Sequence, residues 1–139
     1  MRRMRRLRVP GIREMVRETD LGLQDLIQPI FVDERISGPR MIESMPGQYH
    51  QSIESAANEA GALEDLGVPA VLLFGLPSFK DEMGSAAADP GGVIQKAVRA
   101  IKECTDLVVI TDLCLCEYTS HGHCGLVQGE RVLNDETLP

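Results

Sequence analysis

Residues 112–125 read Asp-Leu-Cys-Leu-Cys-Glu-Tyr-Thr-Ser-His-Gly-His-Cys-Gly and hold three of the chain's four cysteines. In an extended segment, residues i and i+2 point to the same side. The thiols of Cys114 and Cys116 can therefore face one point, and the loop containing Gly122 can return Cys124 to it. Three thiolates at about 2.3 Å make a soft, compact site suited to Zn²⁺ with a fourth position open, as in catalytic zinc centres. His121 or His123 could close that position. Reduced cysteines packed into a turn are the plainer alternative, but three Cys and two His within eleven residues seldom arise from packing alone. Asp112 ends an apolar run, where α/β proteins place their active sites. It reads as an active-site contact, against the plainer role of satisfying loop amides. Cys104 falls on the apolar side of a helical repeat and reads as core.

The elements that must position this segment alternate between strand and helix. Leu26 to Val32 is apolar and β-branched, and loop signals follow at Ser37-Gly-Pro39 and Met45-Pro-Gly47. Ser52 is a candidate N-cap for a helix carrying Ser55, Ala56, Ala60 and Leu63 on one face, with Gly67 as its stop. Val68 to Gly75 is a continuous apolar run, which predicts a strand buried on both faces. After a polar loop from Pro77 to Gly92, Val93, Ala97, Ala100, Ile101 and Cys104 trace a second amphipathic helix. Leu107 to Thr111 predicts a third buried strand leading into Asp112. Asn134 looks like the cap of a further helix, with Asp135 and Glu136 in its first turn. Its body is missing, which suggests truncation.

Near-continuous apolar strands alternating with helices imply parallel pairing with right-handed crossovers. The fold class is α/β, most simply a partial barrel, since a closed one needs eight units and roughly 250 residues. No glycine-rich nucleotide loop follows any strand. With 43% apolar and 25% charged residues, the composition is that of an ordinary globular protein. No apolar run reaches the length of a membrane helix.

Charge is divided unevenly. Residues 1–17 carry seven Arg and one Glu, a balance of +6, whereas the remainder stands at −13 within a net −7. So acidic a body argues against general nucleic-acid binding, which depends on neutralising phosphates. Leu7, Ile12, Met15 and Val16 interrupt the basic start at helical spacing, which favours an arm laid on an acidic protein surface over a solvated tail, a targeting segment or a nucleic-acid arm. The clustered cysteines and the lack of a secretory pattern point to a reducing compartment, with the cytoplasm as the default.

The chain resembles the amino-terminal portion of the porphobilinogen synthase (5-aminolevulinate dehydratase) family. The residues that carry the likeness are Arg6-Leu-Arg8, Leu26 to Val32, Ser44-Met-Pro-Gly47, Phe74-Gly-Leu-Pro77, Lys80-Asp-Glu82, Gly84-Ser85, Val109-Ile-Thr-Asp112, the run from Cys114 to Cys124, and Leu133-Asn-Asp-Glu-Thr137. The cysteine run resembles that of the zinc-dependent branch. The resemblance implies a (β/α)₈ TIM barrel, of which about the first three βα units are present, and condensation of two 5-aminolevulinate molecules into porphobilinogen for tetrapyrrole (heme) synthesis. By position, Cys114, Cys116 and Cys124 would be ligands of a catalytic zinc, Asp112 would contact the second substrate, and His123 would help hold a second metal. Residues 1–20 would be a basic arm embracing a neighbouring subunit of a homo-oligomer, and residues 21–139 the start of the barrel. Any Mg²⁺ site would involve the later half.

One departure outweighs the rest. The family's Schiff-base lysines lie in the later half of the barrel, and Lys80, Lys96 and Lys102 are poor substitutes. A nucleophilic lysine needs burial or a cationic neighbour; Lys80 adjoins Asp81 and Glu82, while Lys96 and Lys102 read as solvated helix positions. The chain alone is expected to be inactive. The alternative is a truncated, non-catalytic zinc-binding or subunit-association module.

Overall fold

The computed structural model describes residues 9–138. Three parallel strands form its centre: β1 (Ile27–Asp33), β4 (Ala70–Leu76) and β5 (Val108–Thr111). The helices α2 (Ile53–Asp65) and α3 (Val93–Cys104) are the crossovers between them. Two short strands, β2 (Arg40–Met41) and β3 (Tyr49–Gln51), extend the sheet in the order β2-β3-β1-β4-β5. The sheet is open, with β5 at one edge. A hairpin of β6 (Val127–Gln128) and β7 (Arg131–Val132) and a single turn of helix, α4 (Asn134–Thr137), follow. The expected α/β class with parallel pairing is present.

Local chemistry fixes the ends of α2. The Ser52 hydroxyl accepts from the Ser55 amide at 3.2 Å, as an N-cap does. At the other end Gly67 takes φ +86°, and the amides of Gly67 and Val68 donate to the carbonyls of Glu64 and Leu63, the paired bonds of a Schellman stop. For α4 the cap is Leu133 and not Asn134, which is the first helical residue; Asp135 and Glu136 do lie in the first turn.

Alternation decides the core. Ile30 and Val32 of β1 and Val71 and Leu73 of β4 are buried with Ala56, Ala60, Val93, Ala97 and Ile101 of the two helices. Each large side chain so buried contributes roughly 1.5–3 kcal/mol. The opposite face is different: Phe31, Leu72, Phe74 and Leu76 are only half-buried, with Phe31 stacked on Phe74 at 5.3 Å. The central strand is thus buried on its helix-covered face alone. β5, read from the sequence as a buried strand, is largely exposed, Val108 by 59% and Ile110 by 36%, because it pairs only with β4.

One further expectation needs correction. The buried row Val93, Ala97, Ile101 continues through Thr105, which is buried and donates its hydroxyl to the Ile101 carbonyl at 3.0 Å. Cys104 lies one position off that row and is exposed. The lysines of α3 are exposed, as expected, and each also has a partner: Lys96 pairs with Glu34 at 3.0 Å, and Lys102 donates to the Leu107 carbonyl at 3.0 Å. In the basic start, α1 (Pro10–Met15) is a short helix with no buried residue, and Ile12, Met15 and Val16 face solvent. Leu7 lies outside the described residues. Among the described residues, no helix is long and apolar enough to cross a membrane.

Candidate metal centre

The cysteine segment leaves the carboxyl end of β5. The Asp112 amide still donates to the Leu73 carbonyl at 3.3 Å, so the strand's pairing carries one residue past its end. The chain then bends at Leu115, whose carbonyl accepts from the amides of Tyr118 and Thr119 at 2.9 Å. Cys114 and Cys116 therefore converge through a turn and not through an extended strand. Gly122, at φ +73°, reverses the chain and returns Cys124, as its place in the sequence led us to expect.

The three sulfurs meet. Sγ of Cys114 lies 3.2 Å from that of Cys116 and 3.1 Å from that of Cys124, and all three lie within 4.8 Å of one another. These separations are too long for a disulfide. They fall short of the roughly 3.8 Å edge of a tetrahedron with metal–sulfur bonds of about 2.3 Å, so a small spreading would admit a metal. A second group shares one of these thiols: Asp112, Cys114 and Glu117 also place ligand atoms within 4.8 Å.

The three thiols perturb one another. The Cys116 backbone N–H, followed by the thiols of Cys124 and Cys116, holds the Cys114 thiol below its ordinary value. Its proximity in turn pushes Cys116 up to about 12, with burial and Glu117 adding to the effect. Cys124 is raised as well, chiefly by Cys114. One thiol can ionise readily, and its charge disfavours the loss of the other two protons. A divalent ion would remove that conflict.

Hydrogen bonds stitch the surrounding loop in place. Thr119 is buried, donates its hydroxyl to the His123 carbonyl at 2.8 Å, and pairs with Asp81 in an isolated parallel bridge. The Ser120 amide donates to the Asp81 carbonyl at 2.8 Å. The carboxylate of Asp81 accepts from the hydroxyl and then the amide of Ser85, and from the Met83 amide, which together hold it below the usual carboxylate range. Tyr118 is buried, and desolvation, reinforced by Glu117 and Asp112, raises its phenol.

Neither histidine belongs to either donor group. Nδ1 of His121 accepts from the His123 amide at 3.2 Å, and its Nε2 faces the Glu82 carbonyl at 3.3 Å. Both ring nitrogens are occupied. His123 is exposed, its ring 5.4 Å from that of His121. A cavity of about 460 Å³ adjoins the centre, with Asp112, Cys114, Tyr118 and Cys124 in its wall and Ile94 and Leu115 among its apolar lining. The structure thus brings Asp112 together with Cys114 of the thiol group. It also adds Glu117 and Tyr118, whose only signal in the sequence was their place inside the cysteine run.

The model of the Delta-aminolevulinic acid dehydratase family matches residues 1–139. Proteins named Delta-aminolevulinic acid dehydratase from Methanothermobacter thermautotrophicus and Methanothermus sociabilis are 56% and 54% identical over 140 and 137 residues. These alignments take in 99% and 98% of this chain but 43% of each relative, so the chain spans less than half the length of these two proteins. A crystal structure of delta-aminolevulinic acid dehydratase (porphobilinogen synthase) from Toxoplasma gondii ME49, in complex with the reaction product porphobilinogen, superposes with a TM-score of 0.91 at 31% identity. That match covers 99% of this chain and 40% of the other. The chain belongs to the Delta-aminolevulinic acid dehydratase family.

Proposed function

We propose that this chain is the amino-terminal part of a zinc-assisted porphobilinogen synthase, which condenses two molecules of 5-aminolevulinate, with loss of water, into porphobilinogen. The observation that carries this reading is the convergence of Cys114, Cys116 and Cys124 beside Asp112 at the end of β5. Three soft thiolates fit Zn²⁺ better than a hard, oxygen-seeking ion. Bound there, zinc supplies a mild Lewis acid that can polarise a carbonyl or orient an amine. The Asp112 carboxylate, exposed in the wall of the same cavity, orients the substrate's amino group and can take a proton at Oδ. Tyr118 and Leu115 wall the cavity and limit water.

The open sheet β1-β4-β5 is the first part of a (β/α)₈ barrel, with further strands adding at the exposed β5 edge. The arm, residues 1–20, lies on a neighbouring subunit of a homo-oligomer, with Ile12, Met15 and Val16 as its contact. His123 serves a second metal whose remaining ligands come from elsewhere in the assembly. The cytoplasm suits three thiols that must stay reduced.

No lysine of this chain is the nucleophile: Lys96 is paired with Glu34, Lys102 is held by the Leu107 carbonyl, and Lys80 is exposed. Borohydride treatment with labelled 5-aminolevulinate should leave residues 1–139 unlabelled, and a stable adduct on Lys80 would overturn this point. Joined to the remaining barrel of a relative, the chain should form porphobilinogen, with Cys114→Ser lowering turnover at least as far as the roughly 10–100-fold cost of lost metal support. Unchanged turnover in that variant would overturn the zinc reading.

A further inference from the structure

We propose that Glu117 is a displaceable fourth ligand of the metal held by Cys114, Cys116 and Cys124. The inference rests on the zinc reading above and assigns a residue that the thiol pattern alone leaves out. Three thiolates leave one tetrahedral position open, to be filled by solvent, by a protein group or by substrate. Glu117 stands next to Cys116 in the turn that follows Leu115, and its Oε2 lies 3.4 Å from the Cys116 sulfur. A tetrahedral zinc with bonds of about 2.3 Å to sulfur and 2.0–2.2 Å to oxygen sets those two donors roughly 3.5–3.7 Å apart. The carboxylate is therefore already at coordination distance from one thiol. It is also within 4.8 Å of a second, Cys114.

No cation competes for Glu117: the ion pairs among the described residues involve Asp33 and Glu34. The side chain is half-buried against two sulfurs and Asp112, where the Cys116 thiol donates to it but nothing supplies the opposite charge that a carboxylate out of water needs. A divalent ion at the thiols provides it. The histidines are weaker candidates, since both nitrogens of His121 are engaged and neither ring joins the donor groups.

A carboxylate in the fourth position has a chemical consequence. With Glu117 bound, the set of three thiolates and one carboxylate over-neutralises a divalent ion, so Glu117 is the ligand most easily exchanged. It would hold the position until an amine or carbonyl takes it, then turn back toward solvent without disturbing the thiols. Asp112 is the other carboxylate within reach, and its place in the cavity wall leaves it facing whatever enters.

The test uses the full chain loaded with Co²⁺, comparing wild type with Glu117→Gln and Glu117→Ala. Wild type should show intense thiolate-to-cobalt charge transfer, which both variants retain. Co²⁺ and Zn²⁺ affinity should fall by about 10-fold or more in the variants. Added imidazole should perturb the cobalt d–d bands at about tenfold lower concentration in the variants, because it no longer displaces a carboxylate. Equal metal affinity and equal imidazole response in all three proteins would overturn the role of Glu117 while leaving the thiol site intact. Absence of thiolate charge transfer in wild type would overturn the zinc reading itself, and with it this inference.

Discussion

The phenolic oxygen of Tyr118 stands 2.8 Å from the point where a Cβ on Gly75 would project. The tyrosine that anchors the cysteine turn is thus seated in a slot that exists because β4 has a glycine there. Ile94 and Val93 of α3 crowd the same point at 2.6 and 3.0 Å. Gly75→Ala should destabilise the fold by about 1–3 kcal/mol, the range for overpacking, and should weaken metal binding by displacing the turn. Denaturant unfolding and metal titration of the same variant measure both effects. Tyr118→Phe keeps the ring in the slot and should leave metal affinity within about twofold of wild type.

Asp33 is fully buried at the carboxyl end of β1, bonded twice by the Arg35 guanidinium at 2.8 and 2.9 Å and once by Arg40 at 3.1 Å. The Arg35 side chain is the main cause of a carboxyl held below its usual value, and Glu34 is lowered too, first by the Ser78 amide and then by Lys96. A carboxyl depressed in the folded state contributes stability that is fully present above its ordinary value of about 4 and is lost as pH falls through the folded value. Stability measured by urea unfolding should decline below about pH 4–5. Asp33→Asn should lower stability at pH 7 by roughly 1–3 kcal/mol and flatten the acid limb. An unchanged limb would show that the Arg35 pair contributes nothing.

Metal should stabilise the folded chain. At a free Zn²⁺ concentration 100 times its dissociation constant the gain is about 2.7 kcal/mol, visible as a higher unfolding temperature that chelator reverses. The gain should shrink as pH falls, because the thiols of Cys116 and Cys124, both raised, must lose protons to bind. Cys124→Ser should remove most of it. A zinc-independent melting curve for wild type would count against the centre.

The N-cap of α2 offers a test confined to the fold. Ser52→Ala removes the acceptor for the Ser55 amide and should cost about 1 kcal/mol, with metal affinity unchanged.

Much of this architecture is legible in the sequence because it is local. Ser52 and Gly67 bound α2 through bonds spanning three to five residues, and the cysteines converge within eleven positions. What was hidden depends on distant partners. β2 and β3 are two and three residues long and carry no readable period; they exist by pairing, Tyr49 with Met41 and His50 with Phe31. The exposure of β5 follows from the neighbour it lacks on one side, which its apolar run cannot announce. Lys96 looks solvated on a helical wheel, yet meets Glu34, sixty-two residues earlier. Glu117 carries no signal by residue type; the turn at Leu115 sets it beside the thiols by position.

The one-sided pairing of β5 also sets a time scale. β4 is flanked by strands on both sides and its amides should open only with the whole fold, while β5 can fray from its free edge at a smaller cost. Amide hydrogens of Val71 and Leu73 should therefore outlast those of Ile110 and Asp112 in deuterated solvent. The thiols hang from the strand that lets go first. In the isolated chain, metal capture and release should follow the breathing of that edge, and a strand laid against it would slow both.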